Sequence, residues 1–296
     1  MHRPGLALAL LACTTLGACQ SSGVPRVEAP PVPAPVVAVA PDDNLNAVLW
    51  VQASAEYDAV ATQTYRAAIA QLDRAVRDAG WHALVASERT ERAERLPLAV
   101  VLDIDETVLD NSPYQARLVA EGAEYNDATW DGWVREQKAR PVPGVLEFAK
   151  AAEARGITLV YISNRAVHLR EPTLANLRAV GLPVKDDSEF LGLGTRVEGC
   201  EQQGSEKHCR RVSIGRRYRV LMQFGDQLGD FVAIEANFPP ARDALYAAHR
   251  DWIGERWWML PNPTYGSWEP ALFGNHFGQP RDVRRAAKRS ALELAR

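Results

Sequence analysis

Cysteine is scarce here: the 296-residue chain holds four, at positions 13, 19, 200 and 209. No histidine cluster joins them, which argues against a tetrahedral zinc site. Positive charge is not in surplus either. Lysine and arginine number 34 against 37 acidic residues, the net charge is −3 and the pI is about 6.1. That balance excludes a nucleic-acid polymer as the natural partner. No apolar run is long enough to cross a bilayer as a helix. "LALALLACTTL", Leu6 to Leu16, falls short of the roughly 20 residues required. There is no internal repeat. What remains is a chain 47% hydrophobic, enough for one large domain or two small ones.

The first residues read as an export signal, with Arg3 ahead of a short apolar core and small residues at its end. Leu16-Gly17-Ala18-Cys19 resembles the lipobox of bacterial lipoproteins; an ordinary secretory signal cut elsewhere is the alternative. Cleavage at the lipobox removes 1–18 and leaves Cys19 as a lipidated first residue. Gln20 follows, where an Asp would favour the inner membrane, so the expectation is a lipid-anchored protein of the bacterial outer membrane, facing the periplasm or the surface. Proline-rich "VPRVEAPPVPAPVVAVAP", Val24 to Pro41, completes a tether over 19–41. It can extend roughly 50 Å at about 3.1 Å per residue. The folded domain is expected over 42–296.

Helical periodicity runs from Asn44 to Asp78, with Leu49, Ala53, Tyr57, Val60, Ile69, Leu72 and Val76 on one face, Asp43 as a cap and Gly80 at the close. Apolar runs follow at 97–102, 157–162, 219–224 and 257–260. Helical patterns sit between them at about 143–155, 171–180 and 206–217. Strands alternating with helices predict an α/β fold, a mainly parallel sheet covered on both faces. The first three runs end in polar clusters, "DIDET", "SNR" and "GDQLGD". These are strand carboxyl ends, where such sheets bind ligands.

"LAVVLDIDETVLDNS", Leu98 to Ser112, crowds Asp103, Asp105, Glu106 and Asp110 just past a buried strand. Like charges so placed shift their pKa values or demand a cation. Alternation along an extended chain sets Asp103 and Asp105 on one side, with Ile104 opposite. Two such acids can divide phosphate-ester hydrolysis. Asp103 attacks phosphorus, and Asp105 protonates the leaving alcohol and then deprotonates water. An oxygen-only site suits Mg²⁺.

"DIDETVLDNS" resembles the first motif of the class C bacterial acid phosphatases, the outer-membrane lipoprotein e family of the haloacid dehalogenase (HAD) superfamily. "WVQASAEYDAVATQTYRAA" (50–68), "SNR" (163–165), "GDQLGDF" (225–231) and "PNPTYGSWEP" (261–270) are similar to further family segments in the same order. The resemblance implies a HAD-like Rossmannoid fold with a small helical cap and hydrolysis of phosphate monoesters, often 5′-nucleotides. It implies that Ser163 binds a phosphoryl oxygen, with Asn164 and Arg165 orienting the loop or the substrate. It requires a lysine, either Lys185 or Lys207; Lys207 is preferred because it starts the helix before the third run. It implies a metal shell of Asp103, the Asp105 carbonyl and Asp226, with Asp230 behind them. Family members commonly carry Asn where this chain has Gln227. Trp130 in "TWDGW" and Tyr265 in "PTYGSW" lie in segments similar to those lining the leaving-group side, where an aromatic ring can stack on a base. Arg210 and Arg211 read as ion-pair partners. Cys200 and Cys209 are expected to bond in an oxidising periplasm, bracketing Lys207. A homodimer is left open, as are a phosphotransferase using the same residues and a non-catalytic lipoprotein binding haem or another flat ligand.

The anchor is tested directly. Cys19→Ala is expected to abolish labelling by a fatty-acid probe and partition into membranes. Unchanged labelling would locate processing elsewhere.

Overall fold

A computed structural model describes residues 42–295; the signal, the lipobox and the tether lie outside the described residues. The described residues fall in one unit. Its main sheet comprises β1 (Leu98–Leu102), β4 (Thr158–Ala166), β5 (Phe190–Leu193), β6 (Arg219–Gly225) and β7 (Trp257–Met259), in the order β5-β4-β1-β6-β7. Every pairing in it is parallel. β1 is central. The chain first builds outward through β4 to β5, then returns to the other side of β1 for β6 and β7. The order therefore reverses beside β1, and an open α/β sheet places its ligand crevice at such a point.

Alternation along β1 explains why both faces are covered. Val100 and Leu102 pack into one core with Tyr65, Leu72, Phe148 and Phe224; Ala99 and Val101 pack into the other with Ile214, Phe231 and Trp257. The first face carries α2 (Ala55–Arg77) and α5 (Val145–Glu153), the second α7 (His208–Gly215). α6 (Arg170–Ala179) connects β4 to β5. α8 (Pro239–His249), α9 (Trp268–Ala271) and α10 (Arg281–Ser290) complete the C-terminal third.

The expected single helix over 44–78 is two. α1 (Leu45–Ala53) stops at Ser54, whose extended backbone lets its hydroxyl accept from the Tyr57 amide at 3.1 Å and cap α2. Asn44, not Asp43, stands at the start of α1, and it makes no side-chain cap. The buried stripe of α2 is Tyr57, Ala61, Tyr65, Ala68, Leu72 and Ala75, while Leu49 and Val60 are exposed. Alanines on the inner face let the helix approach the sheet closely, so the hydrophobic stripe is not made of the largest apolar residues.

Past β1 the chain forms a two-stranded antiparallel ribbon, β2 (Leu109–Asp110) with β3 (Arg140–Pro141), joined at its base by an Arg140–Asp110 ion pair of 2.9 Å. Helices α3 (Ser112–Glu121) and α4 (Asp127–Glu136) are inserted between its strands. This insertion is the small helical cap. Its N-terminal ends are locally encoded: Pro113 opens α3, and Asn126 caps α4 through the Thr129 amide.

Candidate active site

The three polar clusters meet at the carboxyl edge of the sheet. Asp103 follows β1, and its amide still donates to Phe224 of β6 at 2.9 Å, which extends the ladder one residue beyond the strand. Ser163 lies in β4, and Asp226 directly follows β6. Asp103, Asp226 and Asp230 bring carboxylate oxygens within 4.8 Å of one another. The close approach of Asp230 requires glycine at 225, where any Cβ would overlap the Asp230 side chain.

Lys207 is the cation at this centre. Its ammonium is buried and donates to Asp103 and, at 2.6 Å, to Asp230 Oδ1. Asp230 Oδ2 accepts from the Gln227 amide at 3.0 Å, so both its oxygens are engaged. Lys185 is exposed and well apart in the chain from these contacts. The Cys200–Cys209 disulfide is formed, with Cα atoms 5.6 Å apart, and encloses Lys207 in its loop. Behind it, Arg211 meets the buried Glu88 at 2.8 Å, and Arg210 donates to Ser163 O at 2.6 Å and Asn164 Oδ1 at 2.8 Å. Arg210 thus fastens the Ser163 turn to the Lys207 loop.

Asp105 has a different environment. Its Oδ1 accepts from Arg165 at 2.8 Å and from Asn111 Nδ2 at 2.9 Å. Among the described residues its Oδ2 meets only the Ser163 hydroxyl, at 3.3 Å. One oxygen is therefore fixed and the other is nearly free. Arg165 is buried, and its guanidinium also lies 5.6 Å from the Trp130 ring. Trp130 belongs to a cap cluster, edge-on to Tyr114 at 5.2 Å and tilted toward Tyr125 at 6.2 Å. Asn164 is exposed. Tyr265 is half-buried, with its hydroxyl on Glu106, while Trp268 is exposed.

Asn262 and Asn111 are not singled out by the sequence, and Glu106 is marked there only as one of the crowded acids, with no role. Asn262 donates to Asp226 Oδ2 at 2.7 Å. Asn111 contacts Asp105, Glu106 and Trp133. Glu106 is buried and receives the Asn111 amide at 2.8 Å. Their roles carry no sequence signal; only the three-dimensional arrangement reveals them.

Electrostatics follow from this crowding. Burial pushes the Asp103 carboxyl up to about 7; Lys207 opposes the shift, and the charges of Asp230 and Asp105 add to it. Burial, then repulsion by Asp105, pushes Glu106 up to about 8. Burial and the neighbouring Asp230 and Asp103 hold Asp226 well above the carboxylate range. For Lys207, burial favours the neutral amine, but Asp103 and Asp230 outweigh it and the ammonium is retained. An oxygen-only donor set whose members resist ionisation together fits a hard divalent cation.

The pH dependence has a definite sign. Asp103 and Glu106 have folded values raised to about 7 and about 8 from 3.8 and 4.5. Their stabilising contribution is full below those ordinary values and is lost as pH rises through the folded ones. In chelator, the melting temperature is expected to fall from about pH 4.5 to about pH 8. Added divalent cation should remove most of that fall, which thermal scans across pH with and without Mg²⁺ will measure. A fall of equal size in both series would exclude cation binding among these acids.

Comparison with known proteins agrees with this geometry. Residues 34–268 match the family described as HAD superfamily, subfamily IIIB (Acid phosphatase). The fold is similar to that of the class C acid phosphatase from Bacillus anthracis solved with tungstate bound: 31% identity, TM-score 0.73, with 86% of this chain and 98% of that one covered. The sequence is 29% identical over 167 residues to the stem 31 kDa glycoprotein of Glycine max, covering 56% of this chain and 58% of that protein. It is 22% identical over 165 residues to acid phosphatase 1 of Solanum lycopersicum, covering 56% and 57%. The chain thus spans a little over half the length of these two relatives. With the family match extending over most of its length, the chain belongs to the HAD superfamily, subfamily IIIB, the acid phosphatases.

Proposed function

We propose that this protein is a Mg²⁺-dependent phosphomonoesterase that works through an aspartyl phosphate on Asp103 and accepts 5′-nucleotides among other organic monoesters. The observation that carries the reading is the buried Asp103–Lys207 pair at the mouth of the sheet, with Asp105 on the same side of the chain. The tungstate-bound relative supports it, since tungstate is a tetrahedral oxyanion of the same class as phosphate.

Asp103 attacks phosphorus; the ester P–O bond breaks as the Asp103–phosphorus bond forms. Asp105 gives its proton to the departing alkoxide. The proton resides on Oδ2, because Oδ1 is held by Arg165 and Asn111. The same oxygen then takes a proton from the water that attacks phosphorus, which frees Asp103 and inorganic phosphate. Lys207 stays charged beside Asp103 and favours the negative charge gathered there. The Ser163 hydroxyl, beside Asp105 Oδ2, supplies a donor for a phosphoryl oxygen. Asp103, Asp226 and the Asp105 carbonyl would hold Mg²⁺, with Asp230 behind them; when bound it neutralises the acids and polarises a phosphoryl oxygen.

The cap carries the preference for aromatic leaving groups. Trp130 reaches the site through Arg165, which itself holds Asp105. A base entering beside that ring can stack on it. The remaining parts of the proposal are a signal over 1–18, a lipid on Cys19 that anchors the protein to the outer membrane, a tether over 19–41 and a catalytic domain over 42–296.

Asp103→Asn is expected to reduce turnover to background while keeping the fold, checked by phosphate release from a chromogenic ester and by circular dichroism. Substantial residual turnover in a clean preparation would refute the covalent mechanism. Trp130→Ala is expected to raise KM for a 5′-nucleotide by roughly tenfold to a hundredfold, the value of one stacking contact, with kcat little changed. A small aliphatic phosphate should be nearly unaffected. Equal losses on both esters would sink the stacking role.

A further inference from the structure

Glu106 is a buried carboxylate for which the chemistry above has no use. It lies 3% exposed and makes no ion pair with a lysine or arginine among the described residues. Its backbone is left-handed, at φ 57°, a region that residues with a Cβ avoid. Such a residue persists only where its surroundings over-determine it. Here they do. The Glu106 amide donates to Leu109 O at 2.8 Å, and the amides of Thr107, Val108 and Leu109 all turn back to Ile104 O. The tight turn aims the Glu106 carboxylate inward.

Its two oxygens join segments far apart in the chain. Oε1 accepts the Asn111 amide at 2.8 Å, and Oε2 accepts the Tyr265 hydroxyl. Asn111 in turn donates from Nδ2 to Asp105 Oδ1 at 2.9 Å, and its Oδ1 receives Trp133 Nε1 at 2.8 Å and Arg165 Nη2 at 3.3 Å. Tyr265 belongs to the 261–268 segment, which is also fastened to Asp226 by Asn262, and to Gln227 by the Ser267 amide at 2.7 Å. A continuous path therefore runs from Tyr265 through Glu106 and Asn111 to the Asp105 carboxylate.

We propose that Glu106 is a positioning residue: it ties Tyr265 to Asn111 and so holds the free oxygen of Asp105 on line with the leaving alcohol. The inference rests on the acid–base reading of Asp105. Its consequence is specific. Protonation of the leaving oxygen matters for a basic alkoxide and hardly at all for a stabilised phenolate. A displaced Asp105 therefore impairs alkyl phosphates and largely spares activated aryl phosphates. A general loss of structure impairs both alike.

The test compares kcat/KM for an alkyl phosphate and for p-nitrophenyl phosphate, with Mg²⁺ present, in the mature protein and in Glu106→Gln, Tyr265→Phe and Asp105→Asn. This ratio reports steps through formation of the aspartyl phosphate, before the shared hydrolysis. Asp105→Asn sets the full skew, on the order of a hundredfold or more against the alkyl ester. Glu106→Gln is expected to lose roughly tenfold more on the alkyl than on the aryl ester, a part of what a general acid supplies. Tyr265→Phe, which removes one hydroxyl and little volume, should skew in the same direction by less. Equal losses on the two esters in both Glu106→Gln and Tyr265→Phe, or no loss in either, would overturn the positioning role while leaving the mechanism intact. Absence of skew in Asp105→Asn would instead overturn the acid–base reading, and this inference with it.

Discussion

Negative charge crowded into a dry place is the constraint on which the rest of the structure depends. Asp103, Asp105, Glu106, Asp226 and Asp230 gather at one edge of the sheet, and the cations in direct contact with them are Lys207 and Arg165. Buried like charges raise one another's pKa values, and here they do so while still held by hydrogen bonds from Asn111, Asn262 and the Gln227 amide. The surrounding architecture makes this arrangement tolerable. Arg210 and Arg211 are buried behind the lysine loop, the disulfide closes that loop, and Gly225 clears room for Asp230. A site that resists full ionisation by itself is prepared for a positive charge or a phosphoryl group to complete it.

The two acids of "DIDET" illustrate how environment divides labour between identical side chains. Asp103 faces the compact ammonium of Lys207, which can balance a carboxylate without fixing both of its oxygens. Asp105 faces the rigid fork of Arg165, which binds one oxygen with two nitrogens and leaves the other to Ser163. Sequence places both on the same side of the strand; the partners make one fit to attack and the other fit to carry a proton.

Much of this was legible in advance for a physical reason. The apolar runs ending in polar clusters marked β1, β4 and β6, because a strand buried on both faces must be continuously apolar and its ligand must lie past its end. The edge strand β5 was not seen: "FLGL" is four residues long, interrupted by glycine and preceded by "KDDSE". The break at Ser54 was hidden because apolar residues continue across it, and only the cap geometry shows that one helix ends and another begins. The roles of Asn111, Glu106 and Asn262 escaped notice for another reason. Each acts through a partner whose position depends on the completed fold; Glu106 and Tyr265 are separated by 159 residues. Periodicity sees faces of single elements, and a hydrogen-bond path between elements leaves no trace in it.

The 261–268 segment is fastened directly to the acids at Asp226 and at Glu106, whereas the cap helix α4 reaches them through intermediaries, Trp130 over Arg165 and Trp133 on Asn111. These two walls of the same site therefore differ in how freely they can change over evolutionary time. Replacing residues in the fastened segment disturbs the reacting groups at once, so most such changes are removed by selection for activity. The cap is a separate insertion on a two-stranded ribbon, and apart from Trp133 it can be recut or lengthened while Asp103, Asp105 and Lys207 stay in place. Descendants of this architecture have one adjustable wall and one fixed wall, and new substrate ranges should arise from the adjustable one.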